Sequence, residues 1–405
     1  MDRSTDIAAG DLTVTYLSMD PLSSTVGSSQ VLAYIERLVH RGIEIDLVTF
    51  EHAVEPELTE HLSGLGVTWR PQRFGLHGPV GGLGRALRAA RAVRGASVVH
   101  ARSDMAAAAT MLAGVDRWVW DVRSFWADQK VATGVMRAGS PQVRVMRRVE
   151  GLAARRSTAV ITLTASAIDE LDRRHGGVVS SKARVVTTCA DLDRFGLSDL
   201  PPAPLRILLA GTLNRYYDVD SMLDLVAELR RRGPVEFVVA SPGETDWEDE
   251  LATIEAVRVS ATPAEMAELV SSCHVGLSVC RDDAGASLLA AMPTKIGEFL
   301  ASGRPVVVNP GLVDAARMLE RDGSGVAFGS ASPVGVKDAA DRLEELLDDP
   351  GTPGRCRSLA ESHFDLDRGI DSLLEVYSAL DALVRPSFDI RGLSGTVSTR
   401  MERDR

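Results

Sequence analysis

From residue 13 to residue 308 the chain repeats one unit: a short run of Val, Ile and Leu, then a helix-length amphipathic segment. Runs that are apolar at consecutive positions must be covered on both faces. That is the pattern of parallel sheets sandwiched between helices, whereas hairpin strands alternate apolar and polar residues. The first half offers TVTYLS (13–18), IEIDLVTF (43–50), SVVH (97–100), WVWDV (118–122), AVITLT (159–164) and RVVTT (184–188). The second half offers LRILLA (205–210), VEFVVA (235–240), VRVSA (257–261), VGLSV (275–279) and PVVV (305–308). Helix starts fit between them. Thr262, Pro263 and Glu265 supply a cap, a first-turn proline and a capping-box acid, and Ser166 with Asp169 repeats the cap-and-box spacing.

A chain of 405 residues is longer than one hydrophobic core usually serves, so two domains are expected. The proline-rich DLPPAP at 199–204 is the natural linker. It divides a first Rossmann-like domain, 1–198, from a second, 205–365. The segment 366–384 reads as a helix packing back on the first domain, and 385–405 loses periodicity and reads as a flexible tail. The fold class expected is α/β: two Rossmann-like domains whose parallel sheets face each other across a cleft.

The formal net charge of −11, with both signs interspersed, argues against a nucleic-acid partner. The four cysteines, at 189, 273, 280 and 356, form no CxxC pair and no ligand cluster, which points to a reduced cytoplasmic setting and no metal. The opening residues MDRSTDIAAG lack an apolar core, and no uninterrupted run of eighteen apolar residues occurs. A non-spanning protein is expected, with room left for peripheral contact with a membrane surface. There is no GxGxxG after the first strand and no GxxxxGK[ST], so neither a nicotinamide site nor a P-loop is indicated.

In open parallel sheets, ligands sit beyond the carboxyl ends of strands, beside helix N-termini. Three loops of the second half qualify. In AGTLNRYYDVDS (210–221), Gly211 allows a tight exit, Thr212 follows, and Arg215 either reaches a phosphate or faces solvent. The loop VCRDDAGASLLAAMPTK is long, and either functional or merely mobile. In PTKIGEFLASGRPVVV, Pro293 suits a first turn and Thr294 and Lys295 follow it. Ile296, Phe299 and Leu300 form a core stripe. Glu298 lies off that stripe, as a ribose ligand or as a surface acid favouring the helix start.

At this point the chain resembles the GT-B glycosyltransferases, specifically the large retaining group called family 4, over residues 12 to 380. PTKIGEFLASGRPVVV looks like that group's nucleotide-sugar site. The resemblance implies that Glu298 binds the ribose and that the helix start, with Thr294, Lys295 and Ile296, cradles the diphosphate. AGTLNRYYDVDSMLD resembles the loop opening the donor domain, and VVTTCADLDRFG the segment leading into the linker. Gly27 and Ser28, within SMDPLSSTVGSSQVL, resemble a small-residue loop that approaches the donor phosphates across the cleft. Two departures stand out. The family often carries E-x7-E, and the place of the first glutamate is held by Ala290. Where many relatives pair Arg with Lys after the first donor-domain strand, this chain offers Arg215, with Lys295 as the second cation.

On the first-domain side, His100 closes SVVH, either positioning an acceptor or satisfied in the core, and Arg102 shares its loop. DVRSFWADQK sets Asp121, Arg123 and Asp128 around Trp126, a mixture suited to a sugar or to an ion pair with an aromatic anchor. The expected activity is transfer of a glycosyl group from a nucleoside-diphosphate sugar to a hydroxyl-bearing acceptor, by a monomer or homodimer with no required cofactor. The resemblance implies retention of configuration, with His100, Arg123, Arg215 and Lys295 as the catalytic candidates. The alternatives are an epimerase or coupling enzyme of the same fold, or a nucleotide-sugar-binding protein without catalysis.

Overall fold

The computed structural model describes residues 12–382, apart from positions 77, 244, 263, 330 and 331 and the side chains of positions 79 and 382. Pro263 and the tail expected at 385–405 therefore lie outside the described residues.

The first sheet has seven strands, all parallel: β1 (Thr13–Ser18), β2 (Glu44–Glu51), β3 (Thr68–Arg73), β4 (Val99–Arg102), β5 (Trp118–Val122), β6 (Ala159–Thr162) and β7 (Ala183–Val185), in the order β3-β2-β1-β4-β5-β6-β7. The second has six: β8 (Leu205–Ala210), β9 (Val235–Ala240), β10 (Val257–Val259), β11 (Val275–Ser278), β12 (Val306–Val308) and β13 (Gly325–Ala327), in the order β10-β9-β8-β11-β12-β13. In both sheets the order reverses beside the first strand, between β1 and β4 and between β8 and β11. A doubly wound sheet leaves its ligand crevice at that switch point.

Eleven of these strands arise from apolar runs evident in the sequence, and two do not. β3, TWRPQR, is an edge strand whose residues are only partly buried, and its Pro71 is tolerated because an edge strand need not donate on both sides. β13 is three residues long at the opposite edge of the second sheet. β4 runs two residues further than SVVH, ending at Arg102.

Each sheet carries a core on both faces. On one face of the first sheet, Val14, Tyr16, Ile45 and Leu47 pack with Ile370, Leu373 and Tyr377 from the helix Leu366–Ala382. The segment between β7 and β8 is anchored by Arg304, wholly buried, which donates to the Ser198 and Asp199 carbonyls and to the Ser198 hydroxyl. Behind the cleft the two domains also bond directly. The helix Ala165–His175 takes Thr164, not Ser166, as its N-cap. The Asp314 carboxylate from the second domain then accepts the Ala165 and Ser166 amides at 2.6 and 3.4 Å. A carboxylate at a helix N-terminus meets both the free amides and the positive end of the dipole. No described helix is long and apolar enough to cross a membrane.

Candidate functional site

The cleft between the sheets is a cavity of about 1040 Å³, lined by the strand ends of both domains. Its second-domain wall begins where β8 ends. Gly211 has φ +101°, a conformation side chains rarely adopt, and any Cβ there would stand 3.3 Å from the Lys295 Nζ. The glycine thus turns the chain and leaves room for the lysine. Lys295 is 8% exposed, and its ammonium lies 4.4 Å from the centre of the Tyr217 ring. The Nζ has no hydrogen-bond partner. A buried ammonium with three unused donors is costly unless an anion completes it.

Lys295 sits in the first turn of the helix Thr294–Ala301, whose N-cap residue, Pro293, contributes no capping side chain. Pro293, Thr294 and Lys295 all line the cleft, so the helix start adds to the cation's field. One turn in, Glu298 also lines the cleft. Burial pushes its carboxyl above the usual range, against the opposing pull of Arg194 and Lys295. Arg194 belongs to the DLDRFG turn and lines the same cavity, a cation that sequence reasoning passed over. The wall is completed by Thr212.

On the first-domain wall, Arg123 is the central charge. Its guanidinium donates to the Gln30 side-chain oxygen at 2.8 Å and lies 3.5 Å from Asp121. Burial works against the Arg123 charge, but Asp121 outweighs it and holds the guanidinium well above its usual pKa. Burial would likewise raise Asp121, yet Arg123 and a hydrogen bond to His100 bring it down to about 2. Gln30 was not a sequence candidate. It lies in the π-helical turn Ser28–Leu32, and such turns concentrate at functional sites. Arg102 reaches the cleft from the end of β4, ion-paired with Asp20. Trp126 and Ser28 line the cavity as well. Between Arg102 and the helix Asp104–Ala113, Ser103 has φ +93°, a strained conformation for a non-glycine residue. Asp104 follows it, pushed up to about 8 by burial and by Glu150 nearby.

Several sequence candidates stand elsewhere. His100 is 1% exposed, stacked on Tyr16 at 4.3 Å, with Nδ1 bonded to the Tyr377 hydroxyl and Nε2 to Asp121. Because β4 continues to Arg102, His100 lies inside the sheet, and Asp121 links it to Arg123 on the cleft wall. Asp121 itself is buried behind Arg123 rather than facing the cavity. Asp128 is held by Arg147 at 3.0 Å and Arg174 at 2.7 Å, stapling three helices together. Arg215 points to solvent, paired with Asp246 at 3.3 Å. The neighbouring Tyr216 and Tyr217 take the inward positions. Gly27 is required for a packing reason: a Cβ there would stand 1.9 Å from the Pro21 carbonyl oxygen. Ile296 is wholly buried in the core, and its amide donates to the Pro293 carbonyl.

Ala290 has no exposure and packs into the core of the first domain. The turns Asp282–Ala290 rest against the helices Trp126–Ala132 and Ala165–His175. The carbonyl of Leu289 accepts the Thr164 hydroxyl, and that of Met292 accepts the Thr188 hydroxyl at 2.8 Å. The long loop is therefore a packed interdomain contact, and the place of the absent glutamate is sealed inside it.

Among the described residues no group of three or more His, Cys, Asp or Glu side chains is arranged to hold a metal ion. Residues 27–189 match the glycosyl transferase 4-like domain, and residues 204–349 match glycosyl transferases group 1. A search of curated protein sequences returns no match. Among solved structures, the chain is similar to sucrose-phosphate synthase from Thermosynechococcus elongatus, at 14% identity and TM-score 0.68, over 92% of this chain and 100% of that one. It is similar to Anabaena HepE in complex with UDP-glucose, at 14% identity and TM-score 0.66, over 91% and 100%. WaaG, a glycosyltransferase involved in lipopolysaccharide biosynthesis, follows at 12% identity and TM-score 0.59, over 89% and 99%. Two facing parallel sheets, a cleft lined by the strand ends of both and two adjoining family matches make this chain a GT-B-fold protein related to the group 4-like and group 1 glycosyltransferases.

Proposed function

We propose that the protein transfers a sugar, with retention at the anomeric carbon, from a nucleoside-diphosphate sugar to a hydroxyl-bearing acceptor. The observation that carries this reading is the buried Lys295 ammonium without a hydrogen-bond partner, set beside Gly211 at the start of a helix that opens on the cleft. A diphosphate supplies the oxygens that this cation lacks. Glu298, one turn further, accepts the ribose hydroxyls, and Arg194 balances its charge. Arg123, Arg102 and Trp126 face the donor from the other wall and receive the acceptor.

In this reading the bond from the anomeric carbon to the diphosphate oxygen breaks while the acceptor oxygen bonds from the same face. The acceptor's proton passes to the departing phosphate. The protein's contribution is electrostatic: Lys295 and the helix amides stabilise the charge that grows on the leaving group. HepE was solved with UDP-glucose, so uridine diphosphate sugars are the first donors to assay here.

The test is thermal stabilisation across a panel of nucleoside diphosphates and their sugars, then the same titration on Glu298→Ala. Loss of a hydrogen-bonded carboxylate should weaken the best nucleotide by about 10-fold or more. Undiminished stabilisation of the variant would remove Glu298 from the ribose. Arg215→Ala is the matching control: an exposed ion pair contributes about 0–1 kcal/mol, so nucleotide affinity and melting temperature should stay close to the parent's. A fall of tenfold in affinity would return Arg215 to the phosphate site.

A further inference from the structure

The helix Gly78–Ala92 turns a stripe of side chains outward that the donor and acceptor chemistry does not use. Val80, Leu83, Leu87 and Arg91 follow at intervals of three and four residues and share one exposed face, and Arg94 is exposed in the turn just after the helix. Leu76, just before the helix, is 74% exposed and Val80 is 78% exposed. The opposite face, with Ala89, Ala90 and Val93, is buried in the first-domain core.

The projection of Leu76 is built into the fold. Its carbonyl accepts Arg85 at 2.7 Å, and Arg85 also lies 4.4 Å from the centre of the Phe74 ring. A Cβ on Gly81 would stand 1.8 Å from the Leu76 carbonyl oxygen, so the turn and the helix can meet only at a glycine. Beside this ridge runs a groove of about 770 Å³ whose rim carries Arg73, Arg88 and Arg91. Glu51 at its inner end already accepts the Leu22 amide. No Asp or Glu occurs between Glu60 and Asp104, in a chain whose net charge is −11. A local excess of arginine against that overall balance calls for an anionic partner, and the neighbouring Leu and Val residues call for an apolar one.

We infer that this ridge docks the protein on a bilayer containing anionic lipids, with Leu76, Val80, Leu83 and Leu87 entering the interface and Arg73, Arg91 and Arg94 meeting the headgroups. The surface adjoins the acceptor side of the cleft. Gly82 of the ridge helix packs near Met105, and Met105 lines the cleft. Docking there brings the acceptor wall close to hydroxyls presented at the membrane. The surface itself does not depend on the transferase reading.

The test uses the full chain with vesicles of phosphatidylcholine alone and of phosphatidylcholine with phosphatidylglycerol, scored by flotation. The parent should favour the anionic vesicles, and added salt should weaken that binding. Leu83→Asp/Leu87→Asp and Arg91→Glu/Arg94→Glu change exposed positions outside the cleft. Each pair should lose roughly tenfold or more of the vesicle binding while nucleotide stabilisation stays at the parent's level. Equal binding to both vesicle types, or binding untouched by either pair, would overturn the inference. So would a dimer, seen by sedimentation equilibrium, that Leu83→Asp/Leu87→Asp dissociates while the parent ignores vesicles. That result would make the ridge an interface between copies of this chain.

Discussion

Lys295→Met is expected to make the ligand-free protein more stable and the enzyme nearly inactive. The methionine keeps most of the aliphatic stem and removes the ammonium, which in the ligand-free state is buried without a hydrogen-bond partner. An unsatisfied buried polar group costs about 1–3 kcal/mol, and the contact with the Tyr217 ring returns part of that. A net gain of roughly 1 kcal/mol corresponds to a rise of about 2–4 °C in melting temperature for domains of this size. Turnover should fall by about 10²–10³-fold, the usual cost of removing one preorganised donor from a developing negative charge. Calorimetry and initial rates on one preparation test both halves. A variant that melts lower and still turns over would mean that the ammonium holds the fold together and binds no phosphate.

Ala290→Glu introduces the acid that the resemblance to family 4 implies at this place, and it is expected to damage the protein. Ala290 has no exposure, and the turns around it rest on two helices of the first domain. A carboxylate there is withdrawn from water into an apolar cluster and must overpack the contact between the domains. The expected loss is about 3–5 kcal/mol of stability, with lower activity following from a looser cleft. Denaturant melts of the two proteins, with and without nucleotide, give the answer. Unchanged stability together with a faster reaction would show that residue 290 turns into the cleft. The chain would then simply lack a sugar ligand. Under the present geometry, the alanine is there because the loop is a packed joint between domains.

The fold was legible because its cause is local. A strand covered on both faces is mostly apolar, and eleven of the thirteen strands arise from runs that can be read directly from the chain. β3 escaped because it is only partly buried and reads as TWRPQR, and β13 because GVA spans three residues, one of them glycine, too short a run to stand out. Within the site, the helix start at 294 and the position of Glu298 could be read from one segment, since i, i+3, i+4 spacing settles which face is buried.

Elsewhere, side-chain direction decided, and direction is tertiary. His100 and Arg215 have the residue types and loop positions of ligands. β4 ends two residues beyond His100, and Tyr377 and Asp121 already occupy both of its ring nitrogens. Arg215 turns to Asp246 because Tyr216 and Tyr217 fill the inward space. Gln30 and Arg194 reach the cleft from SMDPLSSTVGSSQVL and VVTTCADLDRFG, segments that stand out in the sequence, but nothing local marks these two side chains as the ones that line it.

By itself, the sequence determined two doubly wound domains and a helix whose start and carboxylate face a cleft, because burial of apolar area follows short-range periodicity. Only the tertiary structure decided that Lys295 stands unpartnered, that Arg123 is braced by Asp121 and Gln30, and that Ala290 is sealed between domains. Each of those outcomes depends on partners far away along the chain, and a charge acquires its chemistry from the groups brought within a few ångströms of it.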